Sequence, residues 1–176
     1  KGVAKSGSLV SSDRASRGEY EDLSGRAIEA FLGKVIRSNW FALTKIVPDG
    51  VDNVAGALIE LSDREGCDLV LTTGGTGPAP RDLTPEGTRA VITRELEGFG
   101  ELMRRASLDQ VPTAILSRQT AGTRGHCLIV NLPGRPSAIE VCLKAVLPAI
   151  PYCLDLIGAR SIEVNSDVCV AFRPSS

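Results

Sequence analysis

Leu69-Val70-Leu71-Thr72-Thr73-Gly74-Gly75-Thr76-Gly77-Pro78-Ala79-Pro80-Arg81-Asp82-Leu83-Thr84-Pro85-Glu86 is the segment whose reading decides the fold. The apolar run Leu69–Leu71 reads as a short strand buried on both faces, as in a parallel sheet. Three glycines within four residues then let the backbone turn sharply and approach a ligand closely. Thr84, Pro85 and Glu86 supply a helix N-cap, a proline at the first helical position and an acid in the first turn. The segment is therefore strand, glycine loop, helix. The loop lacks the Gly-Lys-[Ser/Thr] of a phosphate-binding P-loop and the spacing of a dinucleotide-binding turn.

Outward from this unit the same alternation continues. Upstream, Phe41–Val47 is rich in β-branched and aromatic residues and ends at the turn signature Pro48-Asp49-Gly50. Val51, Val54, Ala55, Leu58 and Ile59 then recur on one helical face, in a helix running to about Glu65. A first strand reads through Ser6-Gly7-Ser8-Leu9-Val10-Ser11-Ser12, unusually polar for a buried strand. Downstream, Phe99, Leu102, Met103 and Ala106 share a helical face, and Pro112–Leu116 and Cys127–Leu132 read as two strands. Their ten-residue connection, Ser117–His126, is hairpin-like and too short for a crossover, so this pair is expected to be antiparallel. Ser137 and Glu140 have capping-box spacing before a helix that buries Ile139, Cys142, Leu143 and Val146. The pattern predicts a single α/β domain over residues 1–176. Its sheet is mostly parallel but mixed, with one antiparallel strand.

Composition narrows the function. Twenty Lys+Arg against 21 Asp+Glu, a net charge of −1 and 4% aromatics argue against nucleic acid as a partner. One histidine excludes a multi-histidine metal site. The most apolar stretch, Ala145–Leu154, is too short for a bilayer and holds Pro148 and Pro151, so no membrane association is expected. Five scattered cysteines without a CxxC pair predict reduced thiols and a cytoplasmic protein. The chain begins at Lys1 rather than at a methionine, as expected of a trimmed chain or of a domain from a longer one.

In open α/β sheets ligands bind beyond the carboxyl ends of the strands, so the loops there carry the candidate chemistry. Asp82 lies at the mouth of the glycine loop, where a carboxylate facing phosphate calls for a cation between them. Its alternative is a salt bridge with Arg81 or a hydrogen bond within the loop. Asp49 ends another strand, and its alternative is a helix cap. Ser12-Asp13-Arg14-Ala15-Ser16, Ser117-Arg118 and Asn131-Leu132-Pro133-Gly134-Arg135-Pro136 also follow strands, the last of these being equally readable as a rigid turn. His126 opens a strand beside Gly125 and reads as a surface residue.

These segments, together with Leu116 and the tail Ala171-Phe172-Arg173-Pro174, resemble the molybdopterin adenylyltransferases over nearly the whole chain. That family comprises bacterial enzymes of molybdenum-cofactor assembly and the G domains of gephyrin-type proteins. The resemblance implies a three-layer α/β/α sandwich, a homotrimer, and a possible molybdenum insertase partner. It also implies a reaction of molybdopterin with Mg-ATP that gives adenylylated molybdopterin and pyrophosphate. By the same resemblance Asp49 and Asp82 are catalytic and handle Mg²⁺, and Ser117 is catalytic. Ser12, Asp13, Arg14, Thr73, Gly74, Gly75, Thr76, Gly77, Arg81, Ser107, Arg118, Asn131, Pro133 and Gly134 would bind nucleotide or pterin. The alternatives are a non-enzymatic binding or scaffold module and an insertase-type domain of the same fold. Paired acids at a phosphate loop favour the enzyme, because a scaffold has no use for them. A substrate phosphate already ionised at neutral pH needs no histidine base, which suits a chain with one histidine.

Overall fold

The computed structural model describes residues 2–19 and 22–175. Six strands form one sheet: β1 (Ala4–Ser11), β2 (Trp40–Val47), β3 (Leu69–Thr73), β4 (Arg94–Glu95), β5 (Ala121–Arg124) and β6 (Cys127–Leu132). The helices are α1 (Asp13–Ser16), α2 (Leu23–Val35), α3 (Val51–Ile59), α4 (Thr84–Arg89), α5 (Glu97–Leu108), α6 (Pro136–Val146) and α7 (Ile150–Leu156). The strand order is β2-β1-β3-β6-β5-β4. β2, β1, β3 and β6 are parallel, and β5 runs antiparallel to both β6 and β4. One strand thus opposes the rest, as expected.

The sheet separates two apolar layers. On one face Ile28, Leu32, Met103, Ile139, Leu143 and Leu154, from α2, α5, α6 and α7, pack on Leu69, Leu71, Leu128 and Val130. On the other, Val54, Ala57 and Leu58 of α3 pack on Leu9, Val70 and Ile129. β3 is buried at all five positions, because helices cover both sides of it. α6, a 3₁₀ turn and α7 form one helical run, Pro136–Leu156, longer than the apolar stretch expected from sequence. Length and composition alone would let it cross a membrane, but its Ile139, Leu143, Leu147, Ile150 and Leu154 lie in the core.

Three expectations are corrected. Pro112–Leu116 is a 3₁₀ turn, not a strand. Pro112 has no N–H for a ladder, and Ile115 and Leu116 point to solvent, leaving only Ala114 buried. The strand paired with β6 is instead Ala121–Arg124, turned through Gly125 at φ +55°. The caps also differ. Leu83 and Arg135 occupy the N-cap positions of α4 and α6, so Thr84 and Ser137 are already helical and neither makes a capping bond. In α5, Met103 is fully buried while Leu102 is 44% exposed.

Candidate functional site

Parallel register puts the four decisive loops side by side. Ser11 pairs with Val47, Val10 with Thr73, and Thr73 with Leu132. The chain therefore leaves β1, β2, β3 and β6 at one edge of the sheet. Two cavities open there, on either side of the glycine loop.

The first cavity, about 440 Å³, is lined by Ser11, Ser12, Asp13, Arg14, Asp49, Gly75, Arg81 and Asp82. Seven of these were expected from the sequence, and Ser11 was not. Asp49 is not a helix cap, since Gly50 takes that position at φ +133° and no side chain caps α3. Its carboxylate accepts the Ser11 hydroxyl at 3.0 Å and the Asp13 N–H at 3.4 Å. The Asp49 N–H in turn donates to Asp13 Oδ1 at 2.9 Å. Ser12 caps α1 by accepting the Ala15 N–H at 3.2 Å. Asp82 Oδ2 accepts the Ala79 N–H at 3.0 Å, the loop hydrogen bond foreseen as its alternative role, and the side chain still borders the cavity.

The second cavity, about 400 Å³, has a more apolar lining. Thr76, Gly77, Ser107, Ser117, Pro133 and Gly134 were expected there. Arg104, Gln119, Ser137 and Val141 were not, and Arg135 comes from the candidate loop of residues 131–136 without having been singled out. The Ser117 hydroxyl donates to Gln119 Oε1, and Ser107 Oγ lies 3.5 Å from Cys142 Sγ. Arg104, part-buried on α5, donates to the backbone oxygens of Gln119 at 2.9 Å and Ser117 at 3.4 Å. Nothing in the sequence separates it from an ordinary helical surface arginine. Gly100 could have been a signal: a Cβ there would sit 2.4 Å from Gln119 O, so this glycine lets α5 approach the loop.

Four expected site residues line neither cavity. Thr73 is fully buried and its hydroxyl donates to Pro133 O at 2.8 Å. Gly74, at φ +89°, packs under β1, where a Cβ would lie 2.5 Å from Ser11 O. Asn131 is fully buried, its amide donating to Thr72 Oγ1 at 3.0 Å and Thr88 Oγ1 at 2.9 Å while its Oδ1 accepts the Thr120 N–H at 3.2 Å. Arg118 lines neither cavity and engages Glu86 and the carbonyls of Gly77 and Asp82. Its hydrogen bonds hold the Glu86 carboxyl below the usual carboxylate range, and Glu86 raises the Arg118 guanidinium in return. His126 is exposed at the turn before β6, far from this edge, with Nδ1 against Ile157 O at 2.7 Å.

A magnesium ion fits the donor chemistry of the first cavity. Three carboxylates, from Asp13, Asp49 and Asp82, line it as hard oxygen donors. Among the described residues no three ligating side chains form a closed metal group. Hard oxygen donors of this kind are the ligand type that Mg²⁺ takes.

Comparison with known proteins shows the family. Residues 7–152 match the family described as "Probable molybdopterin binding domain". A protein of Helicobacter pylori strain J99 named molybdopterin adenylyltransferase is 55% identical over 168 residues, covering 96% of each chain. One of the same name from Escherichia coli K12 is 45% identical, covering 96% of this chain and 93% of its own. The crystal structure of the molybdopterin biosynthesis enzyme MoaB from Thermus thermophilus superposes with TM-score 0.82 at 42% identity, covering 92% of this chain and all of its own.

Proposed function

This chain belongs to the probable molybdopterin binding domain family, and on that premise we propose how its two cavities serve a molybdopterin adenylyltransferase of molybdenum-cofactor biosynthesis. ATP occupies the first cavity and molybdopterin the second. One observation carries this assignment: consecutive residues of one loop, Gly75 and Thr76, line different cavities. Two substrates bound on either side of that loop meet across a single residue.

The reaction then requires alignment more than proton transfer. An oxygen of the pterin's terminal phosphate attacks the α-phosphorus of ATP. The bond from that phosphorus to the β-bridging oxygen breaks, and the electron pair leaves with pyrophosphate. Gly75, at φ +67°, brings backbone close to the phosphates; a Cβ here would lie 2.3 Å from Thr84 Oγ1. Arg14 and Arg81 supply positive charge at the cavity wall. Ser11 and the Asp13 backbone fix Asp49, and the Ala79 N–H fixes Asp82, so both carboxylates are set before substrate arrives. Asp49 and Asp82 would hold Mg²⁺, which supplies charge neutralisation on the phosphates. Ser117 and Ser107 offer hydroxyls to the pterin, in a cavity whose apolar wall suits a fused ring. Mixing the protein with molybdopterin, ATP and Mg²⁺ and following pyrophosphate release tests the assignment. No release from any combination would overturn it.

The same reading includes a homotrimer, a cytoplasmic location and exchange of product with a molybdenum insertase. Phe41 on the edge strand β2, 59% exposed, and Ile115, 68% exposed, are apolar surfaces consistent with subunit contacts. The five unpaired cysteines are consistent with a reducing compartment. Light scattering should return about 56 kDa, three times the 18.6 kDa chain.

A further inference from the structure

Arg118 follows an exposed turn, yet its hydrogen bonds among the described residues run to the glycine loop and to Glu86 on the helix after it. Its backbone N–H donates to Thr76 O at 2.8 Å, and Nε donates to Gly77 O at 2.9 Å. One terminal nitrogen donates to Asp82 O. The guanidinium also meets the Glu86 carboxylate through two bonds, of 2.6 and 3.0 Å. One residue thus fastens the loop where it begins, at Thr76 and Gly77, and where it ends, at Asp82.

The intervening segment Pro78-Ala79-Pro80-Arg81 is exposed. Its two prolines have no N–H to donate. What holds it from within is Asp82 itself, whose N–H donates to Ala79 O at 2.9 Å while its carboxylate accepts the Ala79 N–H. Asp82 therefore stands where Arg118 puts it. Glu86, part-buried on α4, holds the planar fork in register, a geometry that the point charge of a lysine cannot reproduce.

We propose that Arg118, held by Glu86, is a positioning residue that sets the carboxylate of Asp82 at the cavity wall and touches no substrate. This rests on the reading of Asp82 as a group that handles the metal-bound nucleotide. The function of the pair is to keep a loop without internal ladder bonds in one conformation, so that ATP meets a preformed carboxylate.

The test compares R118A, R118K and E86Q in the full chain by two readouts. Amide exchange of peptides covering residues 76–83 is measured without ligands, and pyrophosphate release is measured over a range of ATP concentrations. R118A should speed exchange in this loop by about tenfold or more. It should lower kcat by about a hundredfold while KM for ATP stays within about threefold, since displacing a reacting group by about 1 Å costs rate more than binding. E86Q should shift both readouts in the same direction by less, and R118K should recover only a small part of either. If R118A does not fold, E86Q decides by the same two criteria. Unchanged loop exchange overturns the clamp. A large rise in KM for either substrate with an unaltered loop overturns it too, because Arg118 would then be a substrate contact. Failure of the unsubstituted protein to release pyrophosphate would overturn the reading of Asp82, while the exchange comparison would still judge the clamp.

Discussion

Asp13 and Asp49 hold each other reciprocally: the Asp49 N–H donates to Asp13 Oδ1 at 2.9 Å, and the Asp13 N–H donates to Asp49 Oδ2 at 3.4 Å. These bonds tie the loop after β1 to the loop after β2. Both carboxylates are anchored by backbone, so their placement does not depend on side-chain freedom. Two like charges are brought close in a cavity whose walls carry Arg14 and Arg81, an arrangement that gains most when a cation or a metal-bound phosphate enters.

Asn131 should prove structural. Replacing it with alanine leaves the Thr120 N–H and the Thr72 and Thr88 hydroxyls without their buried partner. A loss of about 3 kcal/mol is expected. Calorimetry should show melting about 6–12 °C lower, with KM for both substrates unchanged well below the transition. An altered KM at unchanged melting temperature would return Asn131 to the cleft.

Ser6 gives the opposite sign. Its hydroxyl is buried on β1 with no hydrogen-bond partner among the described residues, and the residue is 4% exposed. Ser6→Ala removes an unsatisfied polar atom at little change in volume, so it should stabilise by about 1 kcal/mol and raise melting by about 2–4 °C. A drop in melting temperature would mean that the hydroxyl has a partner in solution.

The legibility of the sequence follows the same physics. β3 and its loop were readable because a strand buried on both faces must be continuously apolar, and a turn with φ +89° and +67° at Gly74 and Gly75 demands glycine. β5 was not, because its residues are small and polar. Gly122 must be small, since a Cβ there would meet Ile92 Cδ1 at 2.5 Å and Arg94 O at 2.6 Å. The apolar run beside it, Pro112–Leu116, was the stronger strand signal and was wrong. In the site, the residues that the loops project into the cavities were legible. Asn131 and Arg118 were not assignable, because polar side chains beyond a strand can face substrate or support the loop, and only tertiary contacts decide.

Acid should weaken the loop clamp. The Glu86 carboxyl is held below its ordinary value of 4.5, chiefly by the hydrogen bond from Arg118. A depressed carboxylate contributes stability that is complete above its unfolded pKa and is lost as pH falls through the folded value. Melting of the parent protein and of E86Q, measured from pH 7 to pH 3, should therefore differ most near neutrality and draw together as pH falls below the ordinary value of 4.5. A gap that stays constant to pH 3 would show that the charge on Glu86 does not contribute.

The thiols should differ in reach. Burial pushes Cys67 up to about 11, and burial also pushes Cys127 up. At neutral pH the Cys67 thiolate is about a hundredfold scarcer than that of an ordinary cysteine. N-ethylmaleimide should modify the part-buried Cys153 and Cys169 in the native protein, and all five cysteines only after unfolding. Mass loss of about two units per bridge in unreduced protein, or rapid native labelling of Cys67, would contradict this.

The central claim is that Asp49 and Asp82 act on the metal-bound nucleotide. Asparagine at position 82 keeps an oxygen for the Ala79 N–H and removes the charge, and at position 49 it keeps the Ser11 bond while giving up the charge and the longer bond from the Asp13 N–H. The decisive measurement is pyrophosphate release by Asp49→Asn and Asp82→Asn with molybdopterin, ATP and Mg²⁺, alongside their melting temperatures. Near-parent melting with turnover slowed by about a hundredfold or more is the predicted result. Turnover at the parent rate in both variants would contradict it and leave the two carboxylates as loop fasteners.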